Sequence, residues 1–215
     1  LDEEASLTSL SQLNKDARCN NVAAICVYSK HLSEFHQLKA IQLATVINFP
    51  HGNEDLTTSC DVIEKALTLG ATEIDYVLPY QLYLDGKKDA ALQQCQTIIK
   101  LCKHHNLTSK IILETGAFPA LELIYDASKD LIESGCDFLK TSTGKIAQGA
   151  SLPAVFTMLS AIKDTNVPCG IKVSGGVKTP TQAFNYATLA EFMMDKTIDK
   201  SWFRIGASSL LGELI

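Results

Sequence analysis

Phe138-Leu139-Lys140-Thr141-Ser142-Thr143-Gly144-Lys145 is an apolar run that ends on a lysine and breaks at once into a small, glycine-bearing loop. Gly170-Ile171-Lys172-Val173-Ser174-Gly175-Gly176-Val177 repeats the layout further along the chain. Lysine is among the residues least often buried, so two of them ending buried-looking strands need a reason. Amine chemistry supplies one: Lys140 would form a Schiff base and Lys172 would hold its pKa down. A lysine with a pKa of about 10.4 is neutral at pH 7 in only about one molecule in 2,500. A second ammonium within about 4–6 Å favours the neutral amine. Either lysine alone reads as a strand-end residue with its head in solvent. The matched pair favours chemistry.

Working outward, similar apolar runs recur. Strands are expected at Val22–Tyr28, Ile41–Ile47, Glu73–Leu78, Lys110–Glu114, Asp137–Thr141, Cys169–Val173 and Phe203–Gly206. Helices are expected near 2–16, 32–38, 55–69, 87–105, 119–134, 152–165 and 179–195. The runs read as nearly continuous in apolar residues, which suggests parallel strands buried on both faces, and the helical crossovers point to βαβ units. Gly70 and Gly135 fit helix C-termini, Asn53-Glu54-Asp55 fits a helix start, and Pro153 and Pro180 fit first turns. The expected fold is α/β, a (β/α)₈ TIM barrel forming one domain over 1–215. Seven strands are counted, so the first strand of the barrel is expected upstream of Leu1.

Composition narrows the function. At 215 residues, 46% hydrophobic and 20% charged, the chain reads as an ordinary soluble globule. A net charge of -5 argues against nucleic acid or an anionic membrane as the main partner. No run approaches the roughly 18 apolar residues of a membrane helix, and the N-terminus lacks a signal-peptide layout. Seven cysteines without CxxC spacing read as reduced, mostly buried thiols of a cytoplasmic protein.

Asp75, flanked by apolar residues, reads as a proton shuttle, a salt-bridge partner of Lys140 or Lys172, or both. Glu114 reads as a supporting acceptor. Three small-residue loops suggest a phosphate cradle: Ser142-Thr143-Gly144-Lys145, Ser174-Gly175-Gly176-Val177-Lys178 and Gly206-Ala207-Ser208-Ser209. Their glycines admit backbone N–H groups to an anion, and a helix N-terminus after each is expected to add its dipole. Cys26 could face the barrel mouth, although an inert buried thiol is the preferred reading. His51 reads as a loop residue, and no histidine shows metal-ligand spacing, so no metal is expected.

Together these segments resemble deoxyribose-phosphate aldolase. The match runs in order through Ala24-Ile25-Cys26-Val27-Tyr28, Ala44-Thr45-Val46-Ile47-Asn48-Phe49-Pro50-His51-Gly52 and Ile74-Asp75-Tyr76-Val77. It continues through Lys140–Lys145, Gly175-Gly176-Val177 and Gly206–Ser209. The resemblance implies cofactor-free, reversible cleavage of 2-deoxy-D-ribose 5-phosphate to D-glyceraldehyde 3-phosphate and acetaldehyde. It implies Lys140 as Schiff-base lysine, Lys172 as its pKa-lowering neighbour and Asp75 as proton shuttle. Cys26 would line the pocket. Thr143, Gly144, Lys145, Gly175, Gly176, Val177, Lys178, Gly206, Ser208 and Ser209 would handle substrate and phosphate. Lys178 stands where some members carry arginine. The family's first strand, with an Asp-x-Thr-type motif, would precede Leu1. Small phosphosugar and aldehyde molecules are the implied partners, with a homodimer left open. Two other readings share these loops: a metal-free phosphosugar isomerase or epimerase, and a catalytically weakened phosphosugar-binding barrel.

Overall fold

The computed structural model describes every residue except 36, 37, 39, 40 and 215. Seven strands pair in chain order as one parallel sheet: β1 (Ala24–Val27), β2 (Gln42–Ile47), β3 (Glu73–Val77), β4 (Thr108–Ile112), β5 (Phe138–Lys140), β6 (Gly170–Ser174) and β7 (Phe203–Gly206). The sheet curls strongly. Glu73 on β3 bonds Arg204 on β7, so strands four apart face each other across a common interior.

Helix α1 (Leu7–Cys19) precedes β1, and α2 (Leu56–Thr68) joins β2 to β3. A short α3 (Tyr80–Leu84), absent from the sequence expectation, and α4 (Lys88–His104) lead to β4. Then α5 (Leu121–Glu133), α6 (Leu152–Thr165), α7 (Pro180–Met194) and the single-turn α8 (Leu211–Leu214) follow β4 to β7 in turn. Ser6, Asp55, Ser151 and Thr179 cap α1, α2, α6 and α7, each side chain accepting an N–H two or three positions into its helix. Ser6 therefore starts α1 at Leu7, later than the sequence expectation of residue 2. The β1–β2 connection holds a 3₁₀ turn, Ser29–Glu34, in place of the helix expected at 32–38; residues 36 and 37 of that helix lie outside the described residues.

The seven strands form a curled half-barrel. Among the described residues, β1 and β7 each pair with one neighbour only, so the gap lies where an eighth strand would close the barrel.

The strands were expected to be apolar without alternation. They do alternate. Ile74, Tyr76, Ile111, Leu139, Ile171 and Val173 are fully buried on the helix side of the sheet. The charged positions between them, Glu73, Asp75, Lys110, Lys140, Lys172 and Arg204, meet across the interior. Each large apolar side chain in the outer layer contributes roughly 1.5–3 kcal/mol. That layer supplies the stability that lets the inner one carry charge. Gly170 keeps the inner layer open: a Cβ there would collide with the Phe138 ring and stand 2.8 Å from the Trp202 carbonyl oxygen.

Candidate active site

Asp75 is the hub of the interior. It is fully buried, and Lys140 and Lys172 are 3% and 7% exposed. Its Oδ2 accepts from Lys140 Nζ and from Lys172 Nζ, each at 2.7 Å. Its Oδ1 accepts from Lys110 Nζ at 2.7 Å. Lys110 Nζ also lies 2.6 Å from Glu73 Oε2, and Glu73 accepts from one Arg204 guanidinium nitrogen at 2.8 and 2.9 Å. Cys26, half-buried on β1, points its Sγ at Asp75 Oδ2 from 3.7 Å. The preferred reading of Cys26 as a buried thiol is corrected in its burial: it is half-buried and faces the Asp75 carboxylate.

Lys140 and Lys172 are register partners on adjacent strands. Their spacing is fixed just beyond the lysines. The Thr141 hydroxyl donates to the Ser174 carbonyl at 2.8 Å and accepts the Ser174 N–H at 2.9 Å. The Ser174 hydroxyl donates to the Ser142 carbonyl at 2.6 Å. Three bonds thus tie the two strand ends together.

The electrostatics separate the two amines. Burial pulls Lys140 below its ordinary pKa; the Asp75 carboxylate opposes this, and the Lys172 ammonium reinforces it. Burial is again the largest single influence on Lys172 and acts the same way, but there Asp75 and the other groups around it together outweigh it and the ammonium is held above its usual range. Asp75 would be raised by burial, yet Lys110, Lys140 and Lys172 together hold it well below the usual carboxylate value. The site therefore holds an anion, a neighbour that keeps its proton, and an amine biased toward the neutral, nucleophilic form.

The three loops converge beside this centre. Gly175 sits at φ +87° and touches the loop after β5: a Cβ there would stand 3.0 Å from Ser142 Cβ and 3.3 Å from Gly144 Cα. A Cβ on Gly206 would stand 3.1 Å from Lys172 Cε. Glu114, in the left-handed region at φ 58°, accepts the Thr143 N–H at 3.3 Å and the Thr143 hydroxyl. Burial raises its pKa. Glu114 thus acts as the supporting acceptor expected of it.

Gly144, Lys145, Gly176, Lys178, Ser208 and Ser209 lie at the mouth, all exposed. Lys145 Nζ donates to the Leu1 carbonyl at 3.0 Å, which brings the residues before α1 beside the first loop. Two expectations need correction. The Val177 side chain is buried in the core, so only its backbone remains available to a ligand. A helix was expected straight after each loop, but α6 starts only at Leu152 and α8 has four residues. The Ser174–Lys178 loop alone leads closely into a long helix, and there the Lys178 N–H already donates to Gln182 Oε1 at 2.8 Å. The cysteines also differ from expectation. All seven are free, but three are buried, three half-buried and one exposed.

Sequence reading passed over Glu73, Lys110 and Arg204. Part of the signal was there: Glu73 lies two residues before Asp75, the spacing that marks one strand face, and Arg204 sits between Phe203 and Ile205. It was masked by treating the runs as uniformly apolar.

Comparison with known proteins places this arrangement. The family profile that matches residues 1–210 is that of the DeoC/LacD family aldolases. A deoxyribose-phosphate aldolase of Agrobacterium fabrum (strain C58) is 39% identical over 200 residues, spanning 91% of this chain and 77% of that protein. Two solved structures share the fold at 23% identity, each over 99% of this chain. They are QR15, an aldolase (TM-score 0.81, 90% of that chain), and the tetrameric deoxyribose phosphate aldolase of Aeropyrum pernix (TM-score 0.79, 84% of that chain). The chain belongs to the DeoC/LacD family of aldolases and is an enzyme, a lyase. Within that family it stands with the deoxyribose-phosphate aldolases.

Proposed function

We propose that the chain reversibly cleaves 2-deoxy-D-ribose 5-phosphate to D-glyceraldehyde 3-phosphate and acetaldehyde through a Schiff base on Lys140. The observation that carries this reading is one carboxylate oxygen shared at 2.7 Å by two buried lysines of adjacent strands, one biased to lose its proton and one to keep it. The neutral Lys140 amine attacks the substrate aldehyde, and loss of water leaves an iminium. A base takes the proton of the neighbouring hydroxyl, the adjacent carbon–carbon bond breaks, and its electrons move to the iminium as an enamine. Glyceraldehyde 3-phosphate departs. The enamine carbon then recovers a proton, and water releases acetaldehyde and the free amine. Asp75 is the proton carrier in this scheme, with Lys172 keeping the site cationic and Cys26 lining it. An isomerase or epimerase needs no imine lysine, so the paired lysines favour the aldolase.

The test is borohydride reduction in the presence of acetaldehyde, read by peptide mass mapping. One ethyl group on Lys140 is expected. A label confined to Lys172 or Lys145 would reverse the assignment.

The phosphate belongs, in this reading, to the cradle of Thr143, Gly144, Lys145, Gly175, Gly176, Val177, Lys178, Gly206, Ser208 and Ser209, whose remote binding energy is used at the reacting carbon. Gly176 has φ +84° with open space around its Cβ position, so its constraint is conformational. Gly176→Val should lower kcat/KM for the phosphorylated substrate on the order of 10–100-fold, the equivalent of about 1–3 kcal/mol of strain. Unphosphorylated aldehydes should lose far less; equal losses would leave the loop a structural role only.

The substrate is a deoxyribonucleoside remnant, which assigns the activity to deoxyribonucleotide catabolism. Seven free thiols suit a reducing cytoplasm. A homodimer is one assembly open to the chain, and sedimentation would distinguish it from a tetramer.

A further inference from the structure

Lys110 has no part in the scheme above, yet it is the cation packed behind Asp75. We propose that Lys110, held from behind by Glu73 and Arg204, is a positioning residue that fixes Asp75 with Oδ2 alone turned to the reacting lysines. This rests on the Schiff-base reading of Lys140.

The geometry assigns the two carboxylate oxygens different work. Oδ1 is occupied at 2.7 Å by Lys110, a register partner of Asp75 on the adjacent strand. Oδ2 is left to Lys140 and Lys172. Lys110 is itself fully buried and braced by Glu73 Oε2 at 2.6 Å. Glu73 is braced in turn by Arg204, whose guanidinium lies over the Phe138 ring and donates to the Lys200 carbonyl at 2.8 Å. A line of alternating charge thus runs from β7 through β3 and β4 to the carboxylate that faces the chemistry. Without Lys110, Asp75 could rotate and offer either oxygen, and a misplacement of about 1 Å at a reacting group can cost on the order of 10²-fold.

The charged and titratable groups facing Asp75 are Cys26 from β1, Glu73 on its own strand, Lys110 from β4, Lys140 from β5 and Lys172 from β6. Four basic side chains face two carboxylates in this cluster, so Lys110→Met leaves no carboxylate unpaired: Asp75 keeps two lysines and Glu73 keeps Arg204. The variant is thereby a fair test of position. With one cation gone, Asp75 protonates at higher pH, so the acid limb of any step using its carboxylate moves upward.

The decisive measurement is deuterium incorporation from solvent into the methyl group of acetaldehyde, followed against pH. It reports proton transfer at the enamine carbon, whereas borohydride trapping reports imine formation. Lys110→Met should lower exchange and kcat on the order of 10²-fold, with KM changed by less than about threefold and the acid limb displaced upward. Lys110→Arg should restore most of the limb. Wild-type exchange and pH profile in Lys110→Met would overturn the proposal. Should that variant fail to fold, Glu73→Gln carries the test. It keeps Lys110 but removes its rear anion, so about a tenfold loss in exchange is expected, by the same misplacement argument. Exchange equal to wild type in Glu73→Gln would also overturn the proposal. Failure of the wild-type enzyme to trap at Lys140 would instead overturn the Schiff-base reading, so the two failures are distinguishable.

Discussion

Lys140→Ala should lose cleavage of 2-deoxy-D-ribose 5-phosphate on the order of 10⁵–10⁶-fold in kcat/KM, the scale seen when a covalent nucleophile is removed. No other amine can take over. Lys172 is beside it but is held as an ammonium by Asp75, and Lys110 is locked between Asp75 and Glu73. The loss should not be a folding defect, because Asp75 keeps two of its three lysines and no buried charge is orphaned. Steady-state kinetics with a thermal melt on the same preparation would check both halves. Residual turnover above about 1% of wild type, with a trapped label on Lys172, would show that the wrong amine had been chosen; that is a loss of less than about 3 kcal/mol in barrier height.

Lys172→Leu and Asp75→Asn should move the pH profile of imine formation in opposite directions. The Lys172 ammonium pushes the Lys140 pKa down, so its removal raises that pKa and moves imine trapping to higher pH. The Asp75 carboxylate pushes the same pKa up, so Asn at that position lowers it and moves trapping to lower pH. On the acid side of the profile, displacing it by about one pH unit changes the neutral fraction at a fixed pH about tenfold. The variants should differ again once the imine has formed. Asp75→Asn keeps its imine but should lose carbon protonation by about 10²–10⁴-fold, the usual contribution of a placed acid or base. It should also melt lower, because Lys140 and Lys172 then lack their anion in a buried site. Stopped-flow trapping across pH, with deuterium exchange alongside, would test both. An unchanged profile in both variants would mean that burial, the largest influence on Lys140, controls its pKa alone.

The three small-residue loops and the lysine centre occupy one end of the sheet for a simple reason. In a parallel sheet every strand leaves its C-terminal residues at the same edge, so the loops after β5, β6 and β7 must meet there. Gly175 and Gly206 then allow the backbones to approach within contact of Gly144 and Lys172. Loops of larger residues would separate the strand ends and break the Thr141–Ser174 exchange that sets the lysine spacing.

The sequence by itself determined the order of the seven strands and of the long helices between them, since local signals decide it. Ser151 and Pro153 open α6, Asp55 caps α2, and glycines at φ +88° and +87° end α2 and α5. It also singled out Lys140 as the candidate nucleophile, because two lysines ending matched apolar runs have few physical explanations other than chemistry. Only the tertiary structure decided the rest. That Lys140 and Lys172 share one oxygen of Asp75 depends on strands β3, β5 and β6 curling toward a common axis, which no spacing within a strand encodes. The burial of the Val177 side chain in the core, the arrival of Cys26 at 3.7 Å from Asp75 and the Arg204–Glu73–Lys110 line are contacts between residues far apart in the chain or choices between core and mouth. A one-dimensional pattern gives the face of a strand on which a side chain lies. The partner it meets across the interior is set by the curvature of the sheet, and that curvature is a property of all seven strands together.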